Sequence, residues 1–127
     1  MPKKILIVDD DPDFTAMNQA VLETAGYAVM VAHNSKDGIN LIKSQKPDLL
    51  LLDVMMGTDV EGFDAVDKIR DNPIIKDIPI IMITAFSEHH EVPWSEKPEK
   101  EWVNVEQYLT KPVSPEILIA EVKRLVG

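Results

Sequence analysis

Five short apolar runs, separated by longer amphipathic segments, make up the hydrophobic pattern of this sequence. The runs are Ile5–Val8, Tyr27–Ala32, Leu49–Leu52, Ile78–Ile83 and Val105–Leu109. Three of them are nearly continuous isoleucine, leucine and valine, which is typical of strands buried on both faces of a parallel sheet. The pattern therefore predicts five short strands in such a sheet.

Helical patterns occupy the segments between the runs. Phe14, Met17 and Val21 form an apolar stripe at i, i+3 and i+7, and Gly26 follows it in the usual C-terminal position. Three more helices are predicted from similar signals: one through Leu41, Ile42 and Gln45, after Asn34-Ser35 and stopped by Pro47; one through Phe63, Val66 and Ile69, ending near Asn72-Pro73; and one through Leu118, Val122 and Leu125, beginning after Ser114-Pro115.

Strands that alternate with helices are typical of βαβ units with right-handed crossovers. We therefore predict an α/β fold, a doubly wound five-stranded parallel sheet, formed by a single domain over residues 1–127. The fourth crossover, residues 87–104, is atypical. It contains two prolines, many charges and no sustained apolar stripe, and it is longer and more polar than a connecting loop usually needs to be.

Composition and charge narrow the choice of partners. The formal charge of −9 at pH 7 argues against direct nucleic-acid binding and against an anionic membrane as the main partner, because both would repel the chain. The chain has no cysteine, which rules out disulfide and thiol chemistry. The first apolar stretch is too short for a signal-peptide core or a membrane span, so we expect a cytoplasmic protein without membrane insertion.

Polar side chains follow the predicted strands at the point where each strand ends. Asp9, Asp10 and Asp11 follow the first strand, and Asp53 follows the third; Thr84 and Lys111 follow the fourth and fifth. Because the carboxyl ends of parallel strands lie along one edge of such a sheet, we expect these groups to meet in one crevice.

Electrostatics favours a cation in this crevice. Clustered carboxylates repel one another, so the site must bind a cation or retain protons. Mg²⁺ suits it, since it prefers oxygen ligands, keeps several waters and works beside phosphate. Asp53 can then act as a nucleophile toward phosphorus, with Lys111 neutralising the phosphoryl oxygens and Thr84 donating a hydrogen bond.

Four fragments of the sequence together resemble a known family. Ile5-Leu-Ile-Val-Asp-Asp-Asp-Pro12, Pro47-Asp-Leu-Leu-Leu-Leu-Asp53, Ile81-Met-Ile-Thr-Ala85 and Tyr108-Leu-Thr-Lys-Pro112 are similar to the receiver domain of two-component response regulators. The resemblance spans nearly the whole chain, apart from the fourth crossover. It implies a flavodoxin-like (βα)5 fold with strand order 2-1-3-4-5. A stand-alone receiver of the chemotaxis-regulator kind and a piece of a longer regulator both fit.

The resemblance also implies a role for each site residue. Asp53 would be the phosphoacceptor, and Lys111 would bind the phosphoryl group, aimed by a cis bond to Pro112. Mg²⁺ would be held by side chains of three residues and one backbone carbonyl: Asp9, Asp10 as the more direct ligand, Asp53 and the carbonyl of Met55. Thr84 and Tyr108 would be the switch pair.

The implied function is a phosphorelay step. A sensor histidine kinase or a histidine phosphotransfer protein would donate the phosphoryl group, and the domain would pass the change to a downstream protein partner that the sequence does not identify. The domain would catalyse its own phosphorylation and dephosphorylation without being a conventional enzyme.

Two other functions compete with this one. A phosphorylation-independent scaffold on the same fold is compatible with the unusual fourth crossover. An Mg²⁺-dependent phosphohydrolase with an aspartyl nucleophile usually needs a second acid two residues on, and Met55 occupies that position.

Several polar or aromatic residues have structural interpretations. Asp11, before Pro12, is expected to cap a helix. His89 and His90 are expected to lie in a solvated loop, because neighbouring histidines do not share a face. Trp94 and Trp102 either pin the long crossover onto the domain or serve as aromatic anchors for a partner.

Overall fold

The computed structural model describes residues 2–53, 61–84, 105–110 and 113–127, and for residues 61–64, 84, 108 and 110 it describes the backbone alone. Strands and helices alternate through the first four strands. In chain order the elements are β1 Lys4–Val8, α1 Pro12–Thr24, β2 Ala28–Ala32, α2 Ser35–Gln45, β3 Leu49–Asp53, α3 Glu61–Arg70, β4 Ile80–Thr84, β5 Gln107–Thr110 and α4 Pro115–Val126.

The five strands form one parallel sheet in the order β2-β1-β3-β4-β5. Val8, the last residue of β1, pairs with Ala32, the last residue of β2, and with Leu52 of β3, which continues for one more residue, Asp53. This confirms the predicted α/β class, the doubly wound sheet and the strand order. The predicted fourth crossover, residues 87–104, lies outside the described residues.

The sheet separates two apolar cores, which explains why its central strands have no polar alternation. Apolar even-numbered residues of β1, β3 and β4 whose side chains are described pack against α2 and α3, and odd-numbered residues of the same strands pack against α1 and α4. On the first face lie Leu6, Val8, Leu50, Leu52, Ile80 and Met82. On the second lie Ile5, Ile7, Leu49, Leu51, Ile81 and Ile83.

The predicted helix ends agree with the structure. α1 is followed by Gly26 at φ +103, a left-handed conformation that favours glycine. α2 begins after Asn34, whose side chain accepts from the Asp37 N–H at 2.8 Å, and it ends before Pro47. α4 begins after Ser114, which accepts from the Ile117 N–H at 3.2 Å.

The predicted apolar stripe of α1 is wrong at Met17. Its side chain is 52% exposed, whereas the helix buries Phe14, Asn18 and Leu22, at i, i+4 and i+8. Burial of Asn18 is possible because its amide donates to the Phe14 carbonyl of the previous turn at 2.8 Å. The buried face of α1 therefore includes a polar residue whose amide donates a hydrogen bond to the backbone of the same helix.

Hydrogen bonds hold the starts of β4 and β5 at the edge of the sheet opposite the strand ends. Arg70 donates to the carbonyls of Lys76 and Ile78, each at 2.7 Å, and to Glu106 Oε1 at 3.2 Å. The same oxygen of Glu106 accepts from the Ile80 N–H at 2.7 Å. The end of α3 and the starts of two strands are thus joined.

α4 contacts β5 through a second polar cluster. Glu121 Oε1 accepts from Arg124 Nη2 at 2.7 Å and from Gln107 Nε2 at 3.2 Å. The hydrogen bond from Arg124, followed by that from Gln107, lowers the pKa of Glu121 below its usual value. None of the described helices combines the length and the apolar character needed to cross a membrane.

Close packing of α2 on β1 gives a stability prediction for Gly38. A Cβ atom at this position would lie 2.7 Å from Cγ2 of Val8, whose branched side chain is 98% buried and has few rotamers. We expect Gly38→Val to lower the free energy of unfolding by about 1–3 kcal/mol through overpacking. Urea denaturation followed by circular dichroism measures the change.

Two comparisons isolate the steric cause. Ser44→Val, at an exposed position of the same helix, should cost only a few tenths of a kcal/mol, as expected for helix propensity alone. In a Val8→Ala background the cost of Gly38→Val should shrink, since the clashing methyl groups are gone. An undiminished cost in that background would contradict the packing explanation.

Candidate functional site

The register of the sheet brings the predicted site residues to one edge. Val8 pairs with Leu52, so Asp9 and Asp53 are the next residues along adjacent strands. Asp53 in turn pairs with Ile83, and Thr84 follows as the last residue of β4. The carboxyl ends of three neighbouring strands therefore carry two acids and a hydroxyl residue, as the sequence predicts.

Asp9, Asp10 and Asp53 form an acidic cluster. One carboxylate oxygen from each lies within 4.8 Å of the others. Asp9 is 1% exposed and Asp53 4%, whereas Asp10 is exposed. Like charges at this separation repel strongly where water is excluded, so a bound cation would relieve the repulsion.

The donor set fits a hard cation. Three carboxylate oxygens are ligands that Mg²⁺ or Ca²⁺ takes, and neither sulfur nor imidazole belongs to the cluster. The exposed side at Asp10 leaves access for water molecules, which Mg²⁺ retains when it binds proteins. The cluster can therefore hold a metal ion.

The turn between β1 and α1 is fixed by hydrogen bonds at successive residues. The Asp9 N–H donates to the Ala32 carbonyl at 3.1 Å, which extends the β1–β2 ladder by one residue. Asp9 Oδ1 accepts from the Asp11 N–H at 2.9 Å. Asp11 Oδ1 then accepts from the N–H groups of Asp13 at 3.0 Å and Phe14 at 3.3 Å. Asp11 is thus the helix cap that the sequence predicts, and it does not belong to the group of Asp9, Asp10 and Asp53.

The remaining predicted site residues are placed only in part. Tyr108 lies on β5 and pairs with Met82 of β4. One strand, β4, therefore separates it from Asp53 on β3. The structure gives the backbone positions of Thr84 and Tyr108. Six other predictions fall on residues outside the described ones: Lys111 with its bond to Pro112, the Met55 carbonyl, His89, His90, Trp94 and Trp102.

One residue next to the acidic cluster was not singled out by the sequence. His33 directly follows β2, and its Nδ1 lies 3.0 Å from the backbone carbonyl oxygen of Asp9. A usable signal was present, since His33 follows an apolar run just as Asp9 and Asp53 do. Its partner is a backbone carbonyl, however, and such a contact leaves no pattern in the sequence.

A doubly wound parallel sheet with a carboxylate cluster at its carboxyl edge places this chain among the α/β domains that bind ligands at that edge. Comparison with known proteins is more specific. Residues 5–123 match the response regulator receiver domain, so this chain belongs to the receiver-domain family of two-component signalling. Receiver domains are signalling domains, generally not enzymes, and histidine kinases or phosphotransfer proteins phosphorylate them.

Curated relatives differ in their length. The phosphate regulon transcriptional regulatory protein PhoB of Pseudomonas aeruginosa is 38% identical over 125 residues, which are 98% of this chain and 52% of PhoB. Protein PilH of the same organism is 32% identical over 124 residues, 98% of each protein. The chain thus spans about half of the first relative and nearly all of the second.

Solved structures show the same fold. A putative response regulator from Chloroflexus aurantiacus is 33% identical and superposes with a TM-score of 0.84, covering 99% of this chain and 98% of that one. The chemotaxis response regulator CheY4 of Vibrio cholerae is 29% identical with a TM-score of 0.83, covering 98% and 99%.

The capping geometry of Asp11 predicts how two substitutions differ. Asp11→Ala removes the acceptor of the Asp13 and Phe14 N–H groups and should lower the free energy of unfolding by about 1 kcal/mol. Asp11→Asn removes the same charge but keeps an acceptor oxygen, so it should stay within a few tenths of a kcal/mol of the wild type. Urea denaturation of the two variants is the measurement. Equal losses would show that charge, rather than capping, accounts for the role of Asp11.

Proposed function

We propose that this chain is a single receiver domain, residues 1–127 with an atypical fourth crossover at 87–104, that accepts a phosphoryl group on Asp53. The observation that carries the proposal is the acidic cluster: oxygens of Asp9, Asp10 and Asp53 lie within 4.8 Å of one another at the carboxyl edge of the sheet. The donor would be a phosphohistidine on a sensor histidine kinase or a histidine phosphotransfer protein.

The proposed reaction moves one phosphoryl group between two side chains. A carboxylate oxygen of Asp53 attacks phosphorus, the P–N bond of the phosphohistidine breaks, and the electron pair returns to the imidazole, which takes up a proton. Dephosphorylation would be a separate hydrolysis: water attacks phosphorus, the bond between phosphorus and the Asp53 oxygen breaks, and inorganic phosphate and a proton leave while the Asp53 carboxylate is regenerated. Asp53 can attack only when it is ionised and aligned, and its place at the end of a fully buried strand supports that alignment.

Mg²⁺ is the proposed metal, held by the carboxylates of Asp9, Asp10 and Asp53 and by the Met55 carbonyl, with Asp10 the more direct ligand. When bound, it would neutralise charge on the transferred oxygens. Lys111 would contribute a second positive charge there, and Thr84 a hydrogen-bond donor. The parallel pairing of β3, β4 and β5, which aligns the ends that carry these residues, supports these roles.

The proposed output is a change in a protein-binding surface. Phosphorylation would draw Thr84 toward Asp53 and repack Tyr108, which shifts the population between two states. The formal charge of −9 supports a downstream protein partner and opposes direct nucleic-acid binding by this domain. A cytoplasmic location remains our prediction.

Phosphorylation of Asp53 is the first prediction of this proposal. Incubation with a small phosphodonor and Mg²⁺ should add the mass of one phosphoryl group to the intact protein, as measured by mass spectrometry. Asp53→Asn, which keeps the size of the side chain but is a poor nucleophile, should show no adduct. Chelation of Mg²⁺ should also abolish it.

The control is a known receiver domain treated in parallel. If that domain is phosphorylated and this chain forms no adduct, the proposal is wrong and a phosphorylation-independent scaffold becomes the better interpretation. An adduct that persists in Asp53→Asn would place the acceptor at another residue.

The acidic cluster also predicts how Mg²⁺ changes thermal stability. At about ten times its Kd, Mg²⁺ should stabilise the wild type by about 1.4 kcal/mol, which corresponds to roughly 4–6 °C in Tm. Asp10→Asn should raise the Tm in the absence of Mg²⁺, because it relieves repulsion within the cluster, and should remove most of the increase on adding Mg²⁺. Differential scanning calorimetry gives both values.

A matched control separates the cluster from net charge. Asp71→Asn removes one charge from an exposed residue that follows α3, away from the carboxyl edge, so it should leave the response to Mg²⁺ unchanged. An equal loss of response in both variants would contradict binding at the acidic cluster.

A further inference from the structure

We propose that His33 is a positioning residue of the acidic site: its imidazole holds the peptide group between Asp9 and Asp10 and thereby sets the affinity of the cluster for a divalent cation. This inference rests on the proposed Mg²⁺ site and concerns a residue outside the acidic cluster. The observation behind it is the contact of 3.0 Å between His33 Nδ1 and the Asp9 carbonyl oxygen.

The register of β1 and β2 brings the two residues together. Val8 pairs with Ala32, and the ladder continues with the hydrogen bond from the Asp9 N–H to the Ala32 carbonyl at 3.1 Å. Asp9 and His33 are each the first residue beyond their strand. A side chain at position 33 is therefore held beside the backbone of Asp9 by a sheet that cannot slip without moving every core side chain.

The chemistry of the contact fixes its direction. A carbonyl oxygen can only accept, so Nδ1 of His33 carries the hydrogen and donates it. That nitrogen is then engaged with the backbone and is not a metal ligand. His33 acts on the cluster through the main chain.

The consequence falls on Asp10. The carbonyl of Asp9 belongs to the peptide group whose nitrogen is that of Asp10, so the orientation of this planar unit helps to set where the Asp10 side chain starts. The Asp9 N–H is held by Ala32 and the Asp9 carbonyl by His33, so the backbone is held on both sides of Asp9. Asp10 is the exposed member of the cluster, on the side where repulsion can push the turn outward.

Holding this peptide group in place reduces the conformational entropy that the turn loses when a cation binds. A site whose ligands already stand in their binding positions loses less conformational freedom on binding, and groups that orient metal ligands are known to raise affinity in this way. His33 should therefore affect the concentration of Mg²⁺ that the domain needs. It should leave unchanged the rate at which Asp53 reacts once the site is saturated.

The experiment compares three substitutions of His33 by titration with Mg²⁺ in an isothermal calorimeter. His33→Ala and His33→Leu remove the donor, and Kd should rise about fivefold, the factor that corresponds to loss of one partly exposed hydrogen bond. His33→Asn places an amide N–H donor near the position of Nδ1 and should restore most of the affinity.

A second readout separates positioning from a general loss of structure. Phosphorylation rates measured against Mg²⁺ concentration should show a shifted midpoint and the wild-type maximum in His33→Ala. Asn40→Ala is the control, because Asn40 lines the same open cleft between β2 and α2 as His33 and lies outside the β1–α1 turn. It should bind Mg²⁺ like the wild type.

Each outcome bears on the proposal differently. Unchanged Kd in His33→Ala and His33→Leu, with normal binding by the wild type, would overturn the role of His33 and leave the proposed function intact. Weakened binding that His33→Asn does not restore would also overturn it, since the donor would not be the cause. Absence of Mg²⁺ binding by the wild type would overturn the proposed function and this inference with it.

Discussion

In-register parallel pairing of β1 with β2 on one side and β3 on the other is the constraint on which both the core and the acidic edge depend. Val8 is paired with Ala32 and with Leu52, so the residues that follow these three positions are neighbours at the edge of the sheet. A slip of one residue would move the buried side chains to the opposite face and would also separate Asp9 from Asp53. The same pairing therefore stabilises the domain and assembles the site.

Repulsion among the carboxylates of the acidic edge lowers the stability of the domain. Asp9 and Asp53 are almost completely buried beside an exposed third carboxylate, an arrangement that repulsion disfavours in the absence of a cation. The strands that carry them are buried on both faces, and the helix that follows is capped by Asp11. A rigid framework can hold mutually repelling groups in place, which is the condition for a site that binds a metal ion strongly.

Much of the fold could be predicted because its signals are local and physically simple. Continuous apolar runs indicated doubly covered strands, and Asp11, Asn34 and Ser114 indicated the helix starts that the structure has. Met17 was assigned to the core because a stripe at i, i+3 and i+7 and one at i, i+4 and i+8 both pass through Phe14. Asn18 is polar, so the sequence favoured the stripe through Met17, which is the wrong one. The sequence does not show that the amide of Asn18 donates a hydrogen bond within the helix and can therefore be buried.

The candidate site was predictable to the extent that it consists of side chains at strand ends. Asp9, Asp10 and Asp53 were expected together and lie together. His33 was missed because it contacts the backbone of Asp9 rather than a carboxylate, so no complementary residue type marks it. The close approach of Gly38 to Val8 was missed for a related reason. The distance between α2 and β1 depends on packing, and a glycine in the sequence does not indicate which residue lies against it.

The opposite edge of the sheet limits how the proposed switch can work. The hydrogen bond between Arg70 and Glu106 joins the end of α3 to the starts of β4 and β5. Glu106 and Ile80 are joined twice, because the Glu106 N–H donates to the Ile80 carbonyl at 2.8 Å and the Ile80 N–H donates to the Glu106 carboxylate at 2.7 Å. Strands fixed at their starts cannot slide to transmit a signal. A rearrangement of Thr84 and Tyr108 must then arise near the carboxyl ends, by reorientation of side chains and of the segments that follow them. The acidic edge would therefore both receive the phosphoryl group and initiate the structural response.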